Sequence, residues 1–309
     1  MRILHVGLCV DFKNEGLPFA LKEASEYYYE IATSEPNLNN KIIRTVSNYK
    51  FDLAFFQLQT PNVVEPSTFH YLNELKIFTV NWCGDKRVGT PQWYFQTGAS
   101  LTLFSNMEDV ENMRSKGLKS DFLQIGIDPK VFKYWWDNPE REHDIVYMGN
   151  NYRNQFPESS ARISMIHFLR SNYGTRFFLF GNGWENVDGE NNANQISQSK
   201  IYNKTKIGIN FSQFNSERYT SDRMFRILAS GCMCLSHHYK GIEKDFQIGK
   251  HLDSFFNLND LKSKIDYYLS HDDEREKISY AGYSYCHENF TYKNMVENLI
   301  RLYHEYKIN

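Results

Sequence analysis

Two α/β domains, each built on a doubly wound parallel sheet, are what this sequence predicts. Three observations predict them. Apolar runs of four to six residues alternate with amphipathic stretches along the chain, the pattern of buried parallel strands joined by crossover helices. The alternation restarts at Asp144, after a stretch rich in proline and charge. At about 150 residues per domain, a chain of 309 residues has room for two cores.

In the first half, residues 3–6, 53–56, 77–80 and 101–104 read as strands, and 121–125 as a short final one. Residues 17–32 and 107–116 carry helical spacing, and Gly117 supplies a helix stop. In the second half, residues 144–149 form a strand entering a glycine turn. A helix over 161–170 follows, then a strand over 177–180 closed by Gly181 and Gly183. Next come a helix over 196–203, a strand over 207–211, a helix over 222–230 ended by Gly231, and a strand over 232–236. The remaining fifty residues are helical, over 261–269, 274–288 and 292–307. The domains are therefore drawn at 1–130 and 131–290, with a helix over 291–309 returning to the first. Residues 126–142 hold Gly126, Pro129, Trp135, Trp136 and Pro139, and make the hinge. The polar run 182–199 is a surface loop. Two such domains facing one another would enclose a cleft at the carboxyl ends of their strands, where open α/β sheets bind ligands.

Composition narrows the function. Lys+Arg 35 against Asp+Glu 37 leaves a net charge of -2, so no global basic field draws the chain to nucleic acid or anionic membrane. The hydrophobic share is 41% and the charged share 23%, values of a globular protein rather than a disordered one. No apolar run approaches the roughly 18 residues of a membrane span, and Met1 to Gly7 reads as a strand rather than a secretory leader. The expected compartment is the cytoplasm. Cys9, Cys83, Cys232, Cys234 and Cys286 are odd in number and scattered, which fits buried thiols rather than disulfides or a zinc site. A G-x-S-x-G elbow, a dinucleotide glycine triplet and a P-loop are all missing, which disfavours a serine hydrolase, a Rossmann oxidoreductase and a P-loop enzyme.

The most informative stretch is Glu217-Arg218-Tyr219-Thr220-Ser221-Asp222-Arg223-Met224-Phe225, running on to Ala229-Ser230-Gly231. Thr220 or Ser221 can cap the helix, whose first amides attract phosphate, and Arg223 in the first turn can add a charge-assisted hydrogen bond. A surface ion pair is the alternative role for that arginine.

Arg-x-Phe followed by Ala-Ser-Gly and an apolar strand resembles the signature of sugar-nucleotide-dependent glycosyltransferases of the two-Rossmann-domain (GT-B) type. The segment is similar to the glycosyl transferases group 1 domain of spore-maturation-protein-like members. Gly126-Ile127-Asp128 with Phe132 resembles the linker after the family's first domain. Asp144 to Gly149 resembles the opening of its donor domain, and residues 261–292 its closing helices. The resemblance spans roughly residues 126–300.

It implies a hexosyl- or pentosyltransferase that moves a sugar from a nucleotide-sugar donor to an acceptor hydroxyl, with no metal and no cofactor beyond that co-substrate. The carboxyl-terminal domain would bind the nucleotide and the amino-terminal domain the acceptor. Arg223 would neutralise the donor diphosphate. Related retaining enzymes carry two spaced glutamates where this chain has Arg218 and Arg226. Glu217 and Asp222 are the acids at hand, and retention is the expected outcome.

Other donor-binding candidates are Gly149 and Arg153 in the turn after residues 144–148, Gly183 with Trp184, and Tyr219, Thr220 and Ser221. Either Arg153 binds phosphate or it is a solvated turn residue; Trp184 either stacks on a base or packs. For the acceptor, Gly7 and Trp82 are candidate contacts, and Asp85 is the candidate for orienting or deprotonating the hydroxyl. His5 reads as a core histidine, and at most one of His237 and His238 faces the cleft. The acceptor is open among glycan, lipid, protein and a hydroxylated base of phage DNA, and a noncatalytic nucleotide- or sugar-binding relative is the remaining alternative.

Overall fold

The computed structural model describes residues 1–8, 16–135, 140–188 and 194–308. Cys9, the hinge residues Trp136 and Pro139, and part of the polar run 182–199 lie outside them. The chain divides into two units, residues 1–126 with 292–309, and residues 127–291.

The first unit carries β1 (Arg2–Gly7), α1 (Gly16–Glu23), β2 (Tyr27–Ala32), α2 (Leu38–Asn48), β3 (Leu53–Phe56), α3 (Pro66–Glu74), β4 (Phe78–Cys83), β5 (Leu101–Phe104), α4 (Met107–Ser115), β6 (Ser120–Phe122) and, from the far end of the sequence, α10 (Tyr292–Ile308). Its six strands are parallel in the order β2-β1-β3-β4-β5-β6. Strand residues alternate between two cores, as period-two geometry requires. Ile3, Leu53, Phe55, Val80, Trp82, Leu101 and Leu103 pack under α1 and α10. Leu4, Val6, Ala54 and Phe56 pack under α2 and α3. Helices on both faces make this a doubly wound sheet.

The second unit carries β7 (His143–Met148), α5 (Ser159–Tyr173), β8 (Phe177–Phe180), α6 (Gln195–Asn203), β9 (Thr205–Asn210), α7 (Asp222–Ala229), β10 (Met233–His237), β11 (Asp253–Phe255), α8 (Leu258–Ser270) and α9 (Asp272–Asn289). Its five strands are parallel in the order β11-β10-β9-β7-β8. Ile145, Tyr147, Ile207, Ile209, Met233 and Leu235 form one core with α5 and α8. On β9, Gly208 admits Ile227 of α7; a Cβ there would overlap that side chain.

One expected helix is two elements. Residues 17–32 break after α1, and Tyr27–Ala32 pairs in register with β1 instead. Three consecutive tyrosines and an isoleucine favour the pleated, half-buried environment of an edge strand over a helix. The helices α2 and α3 and the short β11 carried no expectation. The cysteines Cys83, Cys232, Cys234 and Cys286 are buried and unpaired in disulfides, and burial pushes the Cys232 thiol up to about 12. No described helix is long and apolar enough to cross a membrane.

Candidate active site

The strand order of the second unit reverses between β7 and β9, and a doubly wound sheet opens a crevice at the carboxyl ends of the strands on either side of such a reversal. Arg223, at the second position of α7, fills that place. Its Nε donates to the carbonyl of Met148 at the end of β7. Its Nη1 donates to the carbonyl of Phe211 just past β9, at 3.0 Å. The guanidinium lies 4.7 Å from the centroid of the Tyr147 ring. A second arginine meets the same tyrosine: Arg162 of α5 donates through Nε to Tyr147 Oη at 2.9 Å and through Nη2 to the Asn150 carbonyl at 3.2 Å. Arg162 is 2% exposed. Burial, and the neighbouring Arg223 charge with it, hold its pKa below the ordinary guanidinium value.

Among the described residues no carboxylate stands within ion-pair distance of either arginine. Two positive charges thus converge on one phenol with only neutral oxygens as partners. Buried charge is costly unless compensated, and here the compensation comes from hydrogen bonds to neutral oxygens. The start of α7 adds to the positive charge. Ser221 occupies the N-cap but makes no side-chain cap hydrogen bond; its hydroxyl donates instead to Asn210 Oδ1 at 2.8 Å. The helix start, with its partial positive charge, is left without a side-chain cap. Just after Phe211, the Ser212 hydroxyl is buried with no partner among the described residues.

The glycine turns serve this arrangement. A Cβ on Gly149 would collide with Arg223 Nη2, so only glycine lets the guanidinium lie against the turn. Gly183 has φ +80° and abuts the Asn151 carbonyl, while the Asn151 amide donates to the Asn182 carbonyl at 2.8 Å. The two turns are thereby clamped together. Trp184 packs against the core and donates Nε1 to the Gly149 carbonyl at 2.6 Å, so its indole braces the turn. Arg153 is exposed, with a left-handed backbone whose amide donates to Asn151 Oδ1 at 2.8 Å.

Other residues of the 217–222 run have protein partners or are buried. Glu217 binds Lys240 at 2.5 Å and Lys244 at 2.8 Å, and these hydrogen bonds draw its carboxyl down to about 2. Arg218 pairs with Asp245 at 2.6 Å. Tyr219 and Thr220 are buried, and Thr220 shares a hydrogen bond of 2.6 Å with the Tyr239 hydroxyl. Asp222 pairs with Arg226 at 2.5 Å, and Arg226 also reaches Gln198 at 2.9 Å. Four expected donor contacts, Glu217, Tyr219, Thr220 and Asp222, are therefore committed to protein partners or the interior. Gly149 and Ser221 lie with Arg223.

In the first unit, two expected acceptor contacts are interior residues. Trp82 is 4% exposed, packs in the core under α10 and donates Nε1 to the Leu123 carbonyl at 3.0 Å. The space beside Gly7 is filled by His5 and Gln57, which approach each other at 2.8 Å. His5 is a core histidine, bonded also to Tyr28 at 2.9 Å. Asp85 is exposed in the turn after β4. That turn is pinned on both sides of it. Ser105 Oγ donates to the Gly84 carbonyl at 2.7 Å, and the buried Lys86 pairs with Asp109 at 3.2 Å and with Glu108 at 3.3 Å. Neither histidine at the end of β10 is a free group, since His237 stacks on Phe211 at 4.1 Å and His238 lies 3.7 Å from Glu243.

Arg162, Asn210 and Ser212 carried no functional expectation. Arg162 did leave a sign in the sequence. It stands three, four and seven residues before Met165, Ile166 and Leu169, an arginine on the apolar face of its own helix.

The fold defines a class: it is that of the GT-B glycosyltransferases, with two Rossmann-like sheets. Residues 162–301 match the family model described as Glycosyl transferase-like. The chain is similar to a glycosyltransferase of Rickettsia africae, at 14% identity and TM-score 0.62 over 99% of this chain and 98% of that one. It is similar also to HepE of Anabaena, solved in complex with UDP, at 9% identity and TM-score 0.61 over 98% and 99% of the two chains. Sucrose-phosphate synthase of Thermosynechococcus elongatus aligns at 10% identity and TM-score 0.60 over 99% of each chain. No curated protein sequence matches the chain.

Proposed function

We propose that the protein is a glycosyltransferase that moves a sugar from a nucleoside-diphosphate donor to an acceptor hydroxyl, and that the crevice between β7 and β9 holds the donor diphosphate. One observation carries the reading: Arg162 and Arg223 converge on Tyr147 with no carboxylate partner, beside the uncapped start of α7. In the reaction the bond from the anomeric carbon to the diphosphate oxygen breaks. A bond forms to the acceptor oxygen, whose proton passes to a base. Negative charge grows on the departing diphosphate, and prepositioned donors aimed at that charge lower the barrier. Arg223 and the first amides of α7 fill this role, with Arg162 adding its field through Tyr147. Guanidinium groups meet the leaving-group charge, so the mechanism we assign needs no metal.

Asp85, held out by its pinned turn, is the group we assign to the acceptor hydroxyl. Retention of anomeric configuration is the outcome we assign despite Arg218 and Arg226 in place of the glutamates of related retaining enzymes, and it is read from the anomer first formed. Because HepE was solved with UDP and with UDP-glucose, uridine donors are the first to try. The test is a thermal-shift and turnover screen with UDP, GDP, ADP and dTDP and their glucose conjugates. A nucleotide that binds the folded state raises the melting temperature, and release of its diphosphate from the conjugate marks the enzyme. Binding without turnover would identify a noncatalytic relative; no shift with any nucleotide rejects the donor site.

A further inference from the structure

The first unit carries a groove of about 550 Å³ on the outer edge of its sheet, between the edge strand β2 and α2. Its wall on α2 is a polar stripe, Asn37, Asn40, Arg44 and Asn48, spaced three to four residues apart and so on one helical face. Its other wall is aromatic. It is formed by Tyr29 and by the Tyr49 ring, 45% exposed, which lies 6.0 Å from Tyr29 at an interplanar angle of 27° and is backed by Tyr27 at 5.9 Å. Asn40, Arg44 and Asn48 have no hydrogen-bond or ion-pair partner among the described residues, whereas Lys41 is neutralised by Glu35 at 2.8 Å.

We propose that this groove binds an oligosaccharide, as the site for the extended chain of a glycan acceptor. A sugar ring offers an apolar C–H face and a rim of hydroxyls. Exposed tyrosine rings suit the first, and planar amide and guanidinium groups with several donors and acceptors each suit the second. The α2 wall is roughly 16 Å long at 1.5 Å per residue, the length of a short oligosaccharide rather than of one sugar. Strand β2 ends where α2 begins, so one end of the groove lies at the carboxyl edge of the sheet, the edge that also bears Asp85. A polynucleotide fits less well. Lys41 is already paired, leaving Arg44 alone to meet phosphates, and phosphate neutralisation dominates nucleic-acid affinity. An apolar peptide segment would bury the unpaired amides without replacing their hydrogen bonds.

The binding claim stands by itself; the word acceptor rests on the glycosyltransferase reading. The test uses the full chain without donor on an array of oligosaccharides, with maltohexaose, cellohexaose, chitohexaose and the oligonucleotide dT12 titrated in solution. We expect at least one oligosaccharide of three or more units to bind, its monosaccharide to bind at least tenfold more weakly, and Arg44→Ala and Tyr49→Ala each to weaken binding at least tenfold. Asn48→Ala, at an exposed position, is to weaken it severalfold, and melting curves verify that the variants fold. The UDP-induced thermal shift is to stay unchanged in all three. An array without binders, equal binding by wild type and variants, or dT12 binding that the variants abolish would each overturn the proposal. A missing UDP shift alongside groove-dependent glycan binding would sink the glycosyltransferase reading alone.

Discussion

Arg223 and Arg162 share one phenol: the first lies 4.7 Å from the Tyr147 ring centroid and the second donates to its hydroxyl at 2.9 Å. Tyr147 thus holds two like charges close together at the reversal of the second sheet. In the function proposed here the donor diphosphate relieves their mutual repulsion.

Arg223→Ala is expected to lower turnover of the nucleotide sugar by about 100- to 1000-fold, the usual loss of a prepositioned donor to developing charge. The side chain also ties the ends of β7 and β9 through two carbonyls, so the variant should lose about 1–3 kcal/mol of stability while remaining folded. Steady-state kinetics beside urea unfolding separate the effects. Near-normal kcat would remove Arg223 from the mechanism.

For Arg162→Met the expected defect is in binding. UDP affinity should fall about tenfold, near 1.4 kcal/mol, and its dependence on salt should flatten because one cation has been removed. Calorimetric titrations at two ionic strengths measure both. Wild-type affinity in the variant would show that the Arg162 charge does not reach the ligand.

Gly149→Ala adds a Cβ where Arg223 Nη2 now lies. The guanidinium must move, so the variant should copy the loss of turnover seen in Arg223→Ala with the arginine still present. A variant crystal structure and kcat provide the check; full activity would mean that the turn yields instead.

Asp85→Asn should reduce transfer to acceptor while nucleotide affinity stays at the wild-type value, because Asp85 belongs to the first unit and the donor crevice to the second. Loss of UDP binding in this variant would contradict the assignment.

Burial holds the His5 pKa below its ordinary value of 6.5. The unfolded chain therefore takes up a proton below about pH 6.5 that the folded one refuses, and stability falls with acidification until the folded value is passed. The slope is up to about 1.4 kcal/mol per pH unit for one histidine. His143, His237, His251 and His287 are shifted the same way, chiefly by burial. In urea unfolding at pH 5, 6 and 7, His5→Gln should be less stable overall but show a shallower slope. An unaltered slope would refute a neutral His5.

The strands at 53–56 and 101–104 were readable to the residue, since short apolar runs between turns have few other fates in an alternating chain. Tyr27–Ala32 was not, because its strand character comes from pairing with β1 rather than from local period. The place of Arg223 in the first turn of a helix was legible. Arg162 left only its place on the apolar face of α5, and the fold alone brings it to Tyr147. Trp82 misled in the opposite way. It stands in the run from Asn81 to Asp85, yet strand alternation turns it into the core.

The helix α10 supplies Met295, Val296, Leu299, Leu302 and Tyr303 to the core around β1, β3, β4 and β5. During synthesis the opening two-fifths of the chain must wait, with one face of its sheet covered by α1 alone, until residues 292–303 have left the ribosome. The intervening unit, unbroken in sequence, can complete its own core sooner. The later-made half is in this sense the first to mature, and ribosome-stalled chains ending before residue 292 would leave the opening half sensitive to protease.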